Sequence, residues 1–212
     1  MKDVYIFDLD GTLIDSMQIF IGIVLGDLDK KGISYPDDLV KRLTPLGYKG
    51  SAKYIAEQLC DGCSVESIYG LFEAKTLQAY GESIPLKANV EATLRKLHET
   101  GASLNVLTAS PKRLTDIWLK RLQVFDLFEN VWSIDDFGLT KAQPQIYQEA
   151  AKRLGVAVTD CVMVDDNLEV LKVAKSVGMK TIGVFDESSK EYQDEMRELA
   201  DGYVVDLADI LK

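Results

Sequence analysis

The feature that most restricts what this chain can fold into is an alternation of strand-like and helix-like segments from about Ile84 to the C-terminus. Val90, Leu94 and Leu97 mark a helix, "SLNVL" to Leu107 a strand, and Leu114, Ile117 and Trp118 a second helix. "NVWSI" reads as a strand, Gln145 to Leu154 as a helix, "CVMV" to Val164 as a strand and Leu168 to Val177 as a helix. "KTIGVF" is then a strand and Lys190 to Leu199 a helix. Apolar strands separated by helices predict a parallel sheet covered on both faces. One more apolar strand, "VYIF", opens the chain. Only helical patterns separate it from the rest: Met17 to Leu28 with Gly32 behind it, Asp37 to Leu43, Ser51 to Leu59, and Val65 to about Ala79. The expected fold is therefore α/β, a parallel Rossmann-like core with helices on both faces, formed by residues 1–15 and 84–212. A small all-helical unit, residues 16–83, is inserted after the first strand.

The net charge of −10 over 212 residues speaks against nucleic acid and anionic membrane surfaces as partners, because both require a basic face. A small anionic ligand stays possible wherever a local cation reverses the sign. No apolar run approaches the ~20 residues of a membrane span. The N-terminus passes from Lys2 and Asp3 directly into a strand pattern, so no signal peptide is expected. The odd set Cys60, Cys63 and Cys161 suits a reducing, cytoplasmic setting. "CDGC" has CxxC spacing, but two further zinc ligands are missing nearby and an Asp-Gly turn lies inside it. A loop with two free thiols is the expected outcome. His98 is the only histidine, which rules out multi-histidine metal chemistry and points to an exposed structural role.

In open parallel sheets, ligands bind beyond the C-terminal ends of the strands. "VYIF" is followed by Asp8-Leu9-Asp10-Gly11-Thr12, "LNVL" by Thr108-Ala109-Ser110, and "CVMV" by Asp165-Asp166-Asn167. Asp8 and Asp10, at i and i+2, would share one side of an extended chain and repel. Either a counter-charge lies nearby or the chain turns so that the two divide their labour. Four carboxylates and two hydroxyls on one rim call for a hard, oxygen-seeking cation such as Mg²⁺. Lys141, in "LTKAQPQIY", can supply a fixed positive charge.

DLDGT, Thr108 after a strand, Lys141 and the pair Asp165-Asp166 resemble, in order, the four motifs of the haloacid dehalogenase-like hydrolase superfamily. "VDDN…AKSVGM" (164–179) adds to the likeness, which covers essentially the whole chain and is nearest to the phosphoglycolate phosphatase and β-phosphoglucomutase-like subgroup with a helical cap. The resemblance implies that Asp8 is the nucleophile and forms an aspartyl-phosphate. It makes Asp10 the acid and base, with its backbone carbonyl, rather than its carboxylate, toward the metal. The phosphoryl group is expected against Leu9, Asp10, Gly11, Thr108, Ala109 and Lys141. Asp8, Asp10 and Asp166 would hold Mg²⁺, with Asp165 as a second or outer ligand. Two departures stand out: Ala142 occupies a position where many relatives have proline, and the fourth motif reads Asp-Asp rather than Gly-Asp.

By the same resemblance, the helical insertion is a cap that closes over the site and reads the leaving group. Its "LTPLGYKGSAKY" stretch (43–54), read as a loop, is expected to reach the site, with Lys49 as the substrate contact. The implied activity is Mg²⁺-dependent hydrolysis of a small phosphorylated metabolite. A phosphomutase of the same superfamily is the nearby alternative. A phosphorelay receiver-like domain is the distant one, disfavoured by the helical block and by DxDGT.

Overall fold

The computed structural model describes residues 3–82 and 84–212, so Lys2 and the predicted insertion boundary at Ser83 lie outside the described residues. Six parallel strands form one sheet in the order β3-β2-β1-β4-β5-β6. They are β1 (Val4–Phe7), β2 (Ser103–Thr108), β3 (Asn130–Ser133), β4 (Cys161–Asp165), β5 (Lys180–Val184) and β6 (Gly202–Val204). The predicted α/β fold and its strands are present. β6 was not legible: three residues at an edge carry too little pattern.

β1 is central because it is apolar on both faces. Val4 and Ile6 pack in one cluster with Ile146, Tyr147, Ala150 and Ala174, whereas Phe7 belongs to the opposite cluster with Leu94, Leu114 and Trp118. The helices that supply these residues are α5 (Val90–Glu99), α6 (Lys112–Arg121), α7 (Gln145–Leu154) and α8 (Leu168–Ser176). A last helix, α9 (Gln193–Leu199), follows a 3₁₀ segment Glu187–Tyr192, so the predicted helix from Lys190 begins a little late.

Among the described residues between β1 and α5 there is no strand, and the α-helices are α1 (Met17–Lys30), α2 (Leu39–Leu43), α3 (Gly47–Gln58) and α4 (Val65–Glu82). None of the described helices is long and apolar enough to cross a membrane. Phe20, Tyr48 and Phe72 form an aromatic chain through the helical unit, with ring centroids 6.0 and 6.3 Å apart. Two corrections arise here. The 43–54 stretch is mostly helical rather than a loop: a 3₁₀ turn at Thr44–Leu46 passes into α3 at Gly47, whose φ of +70° makes the join. Cys60 and Cys63 form a disulfide rather than two free thiols, since the turn at Gly62 (φ +82°) brings their Cα atoms to 5.5 Å.

The crossings between helical unit and core run side by side. Asp15 N–H donates to the Pro85 carbonyl (3.2 Å), Lys87 N–H to that of Leu13 (2.9 Å), and Ile14 bridges antiparallel to Leu86.

Candidate active site

The order β2-β1-β4 puts three motif-bearing strand ends next to one another, and the chain reverses direction of winding at the β1–β4 boundary. Phe7 is in register with Val164, so Asp8 emerges beside Asp165, and its N–H donates to the Val164 carbonyl (2.9 Å). Asp8, Asp165 and Asp166 are all buried and each offers a carboxylate oxygen within 4.8 Å of the others. Lys141 is drawn into this cluster. Its Nζ donates to Asp8 Oδ1 and to Asp165 Oδ2, the latter at 2.9 Å. The loop that carries Lys141 is held by the Tyr147 hydroxyl, which donates to the Lys141 carbonyl (2.7 Å).

One ammonium does not balance three buried carboxylates. Burial, with repulsion from Asp165 and Asp8, pushes the Asp166 carboxyl well above its usual range. Burial also pushes Asp165 up to about 7, against the pull of Lys141. For Lys141, burial alone would favour the neutral amine, but Asp165 and Asp8 outweigh it and raise its pKa. An all-oxygen donor set with surplus negative charge fits a hard divalent cation.

Asp10 is not a twin of Asp8. Its carboxylate lies outside the acidic cluster and accepts hydrogen bonds from the hydroxyls of Ser16 (2.7 Å) and Ser110 (2.6 Å). The turn that follows Asp10 depends on Gly11 (φ +83°), where a Cβ would sit 2.5 Å from Asp166 Oδ2. Thr12 donates its hydroxyl to Asp166 Oδ1 (2.9 Å). Lys87 fastens the turn from behind, donating to the carbonyls of Gly11 (2.6 Å) and Phe185 (2.7 Å) and to Asp186 Oδ2 (3.0 Å). Leu9 is fully buried, so only its backbone can face a ligand.

Thr108, Ala109 and Ser110 border the cavity above Asp8 together with Lys141. Ser110 is itself fixed, its N–H donating to Thr108 Oγ1 (3.0 Å) and its carbonyl accepting from Ser133 Oγ (2.8 Å). Asp165 Oδ1 accepts from the Asn167 N–H, and the Asn167 side chain caps α8. Asp166 thus keeps fewer protein partners than Asp165.

The helical unit supplies the opposite wall through Met17, Phe20, Thr44, Pro45, Gly47 and Tyr48. The 43–54 stretch therefore reaches the site, but Lys49 does not. It is exposed and outside the lining, because Tyr48 takes the inward direction and the next residue of a helix points about 100° away. Gly47 approaches the core closely: a Cβ there would lie 2.6 Å from Ile134 Cδ1 and 2.7 Å from the Ala109 carbonyl oxygen. Of the supporting residues, Ser110 and Thr12 were visible on the rim without a role, whereas Ser16 and Lys87 left no distinctive signal in the sequence.

The sequence matches the haloacid dehalogenase-like hydrolase family over residues 2–178. This protein belongs to that family. Relatives of the hydrolase include the pyrophosphatase PpaX of Bacillus velezensis and the phosphoglycolate phosphatase of Xanthomonas campestris pv. campestris. Each is 28% identical over 84% of this chain and 80–81% of the relative. Hexitol phosphatase B of Escherichia coli is 26% identical over 84% of this chain and 82% of its own length. The hydrolase also superposes on CbbY from Rhodobacter sphaeroides in complex with phosphate, with a TM-score of 0.80 at 19% identity over 99% and 96% of the two chains.

Proposed function

We propose that this hydrolase is a Mg²⁺-dependent phosphatase that cleaves a small phosphomonoester through an aspartyl-phosphate on Asp8. The observation that carries the reading is the pairing of unlike aspartates. Asp8 lies in a buried cluster under Lys141, while the Asp10 carboxylate is kept apart on two serine hydroxyls. The names of the relatives support phosphate-ester or pyrophosphate chemistry in proteins of this length.

An Asp8 carboxylate oxygen forms a bond to phosphorus as the bond to the leaving oxygen breaks, and Asp10 gives that oxygen a proton. Asp10 then takes a proton from water, whose oxygen attacks phosphorus and releases Asp8 and inorganic phosphate. Thr108 and Lys141, with the backbone around Leu9–Gly11 and Ala109, position the phosphoryl oxygens. A cation held by Asp8, Asp166 and the Asp10 carbonyl, with Asp165 beside it, would neutralise charge on the phosphoryl group and in the cluster. The insertion, residues 16–83, acts as a cap that excludes water and meets the leaving group.

The test is hydrolysis of a panel of phosphorylated metabolites by purified protein, with Mg²⁺ and then with EDTA. Activity is expected only with the metal. Asp8→Asn should lower kcat by more than about a hundredfold, with the melting temperature unchanged or higher because repulsion in the cluster is relieved. A smaller loss overturns the nucleophile assignment.

A further inference from the structure

The cavity above Asp8 has two unlike walls. Its charge comes from the core: Asp8, Asp10, Asp165 and Lys141. The six residues that the helical unit contributes include no cation. Lys141, the one ammonium in the lining, is already engaged by Asp8 and Asp165. Lys87, Lys41 and Lys49 are not in this lining either. Lys87 has its donors on Gly11, Phe185 and Asp186, Lys41 lies 3.7 Å from the Tyr192 ring centre, and Lys49 is exposed outside the lining.

The approach to the cavity has the same sign. A groove between α2 and the 187–192 segment shares Met17, Thr44 and Asn167 with it. The groove is bordered by Asp37, Asp38, Asp166 and Glu191, against Lys41 alone. A carboxylate or second phosphate on the far end of a substrate would lose its hydration here and meet aliphatic carbon, aromatic rings and other carboxylates. An anion without a partner in such a place is strongly disfavoured. The phosphoryl group itself escapes this cost, since Lys141 and the cation that Asp8 and Asp166 would hold lie on the core wall beside it.

The geometry points to a substrate whose leaving group carries no negative charge: the monophosphate ester of a small neutral alcohol. This rests on the phosphatase reading and narrows it, separating the chain from relatives named for phosphoglycolate and pyrophosphate. The apolar residues Met17, Phe20 and Pro45 suit the carbon skeleton of such an alcohol. The Thr44 hydroxyl, which donates to the Val40 carbonyl (2.8 Å), retains acceptor capacity for an alcohol O–H.

The experiment uses a pair of similar size, 2-hydroxyethyl phosphate and 2-phosphoglycolate, which differ by a neutral CH₂OH against a carboxylate. With wild-type protein and Mg²⁺, kcat/KM should favour 2-hydroxyethyl phosphate by at least about tenfold. Thr44→Lys, at a partly exposed position on the cap wall, should shrink that ratio at least about tenfold, through a lower KM for phosphoglycolate. Equal rates or a preference for phosphoglycolate in the wild type overturns the inference, and that comparison stands whether or not the variant folds. A folded Thr44→Lys protein with an unchanged ratio overturns it too. Hydrolysis of p-nitrophenyl phosphate with neither small ester accepted overturns the neutral small-alcohol class while leaving the phosphatase reading intact. No hydrolysis of any of the three, nor of any ester in the metabolite panel, defeats the phosphatase reading itself, and the inference with it.

Discussion

The two walls of the cavity are built by different rules. The core wall gathers charged and hydroxyl side chains at strand ends, each held by a second partner: Lys141 by two carboxylates, Asp10 by two serines, Ser110 by Thr108 and Ser133. The helical wall presents mostly apolar side chains, the Thr44 hydroxyl and one bare glycine, and it is fixed largely by packing among Phe20, Tyr48 and Phe72. A wall tied by directional bonds can serve chemistry, which tolerates little displacement. A wall held by packing can shift or change its residues with the substrate. The difference teaches where each kind of substitution should be felt.

The hardest blow to the core wall after loss of Asp8, the proposed nucleophile, is Lys141→Met. It leaves three buried carboxylates with no cation, and breaking a buried pair of this kind costs about 3–5 kcal/mol. In EDTA the melting temperature should fall sharply, and part of the loss should return when Mg²⁺ is added. Full activity together with unchanged melting would show that the core wall does not depend on its internal counter-charge.

Next in size is the contrast within the acidic pair. Asp165 is occupied by Lys141 and the Asn167 N–H, whereas Asp166 has the Thr12 hydroxyl and faces Gly11. Asp166→Asn should raise the Mg²⁺ concentration for half-activation by at least about tenfold, and Asp165→Asn by less. Titration of both variants with Mg²⁺ decides the order, and a reversal would place Asp165 on the metal.

On the helical wall the effects should be smaller and should fall on recognition. Gly47→Ala puts a Cβ against the Ala109 carbonyl at φ +70° and ψ 178°, an essentially glycine-only conformation that costs another residue about 1–3 kcal/mol before any clash. We expect a three- to tenfold loss in kcat/KM, roughly the lower end of that strain, with Mg²⁺ activation unchanged. Steady-state kinetics with and without saturating metal separates the two. Smallest of all is Lys49→Ala, whose exposed side chain stands clear of the lining. Its kcat/KM should stay within about twofold of wild type; a larger drop would mean that Lys49 swings inward when substrate binds.

The same division decided what was legible in the sequence. Asp8, Asp10, Thr108, Asp165 and Asp166 were found because an apolar run announces a strand and the next residues must lie on the rim. Lys141 was found by its place among those motifs. The cap wall gave way at a point of helix phase: Pro45 and Gly47 read as loop residues, yet they introduce α3, and the phase of that helix turns Tyr48 rather than Lys49 inward. Ser16 and Ser110 are ordinary hydroxyls until their distances to Asp10 are known. The CxxC spacing was plain, but pairing depends on the backbone turn at Gly62, a three-dimensional fact.

The central place of β1 has a consequence for how the chain is assembled in time. Val4 lies between Ser103 and Cys161, partners recruited from far along the chain, and the whole helical unit must be looped out before either can pair. Closing such loops precedes the contacts that reward it, so distant pairings of this kind form slowly. The helices between Met17 and Glu82 depend on near neighbours and need not wait. During refolding, then, helical circular dichroism should recover ahead of enzymatic turnover, because Asp8, the proposed nucleophile, follows directly on the strand with the longest journey to its neighbours.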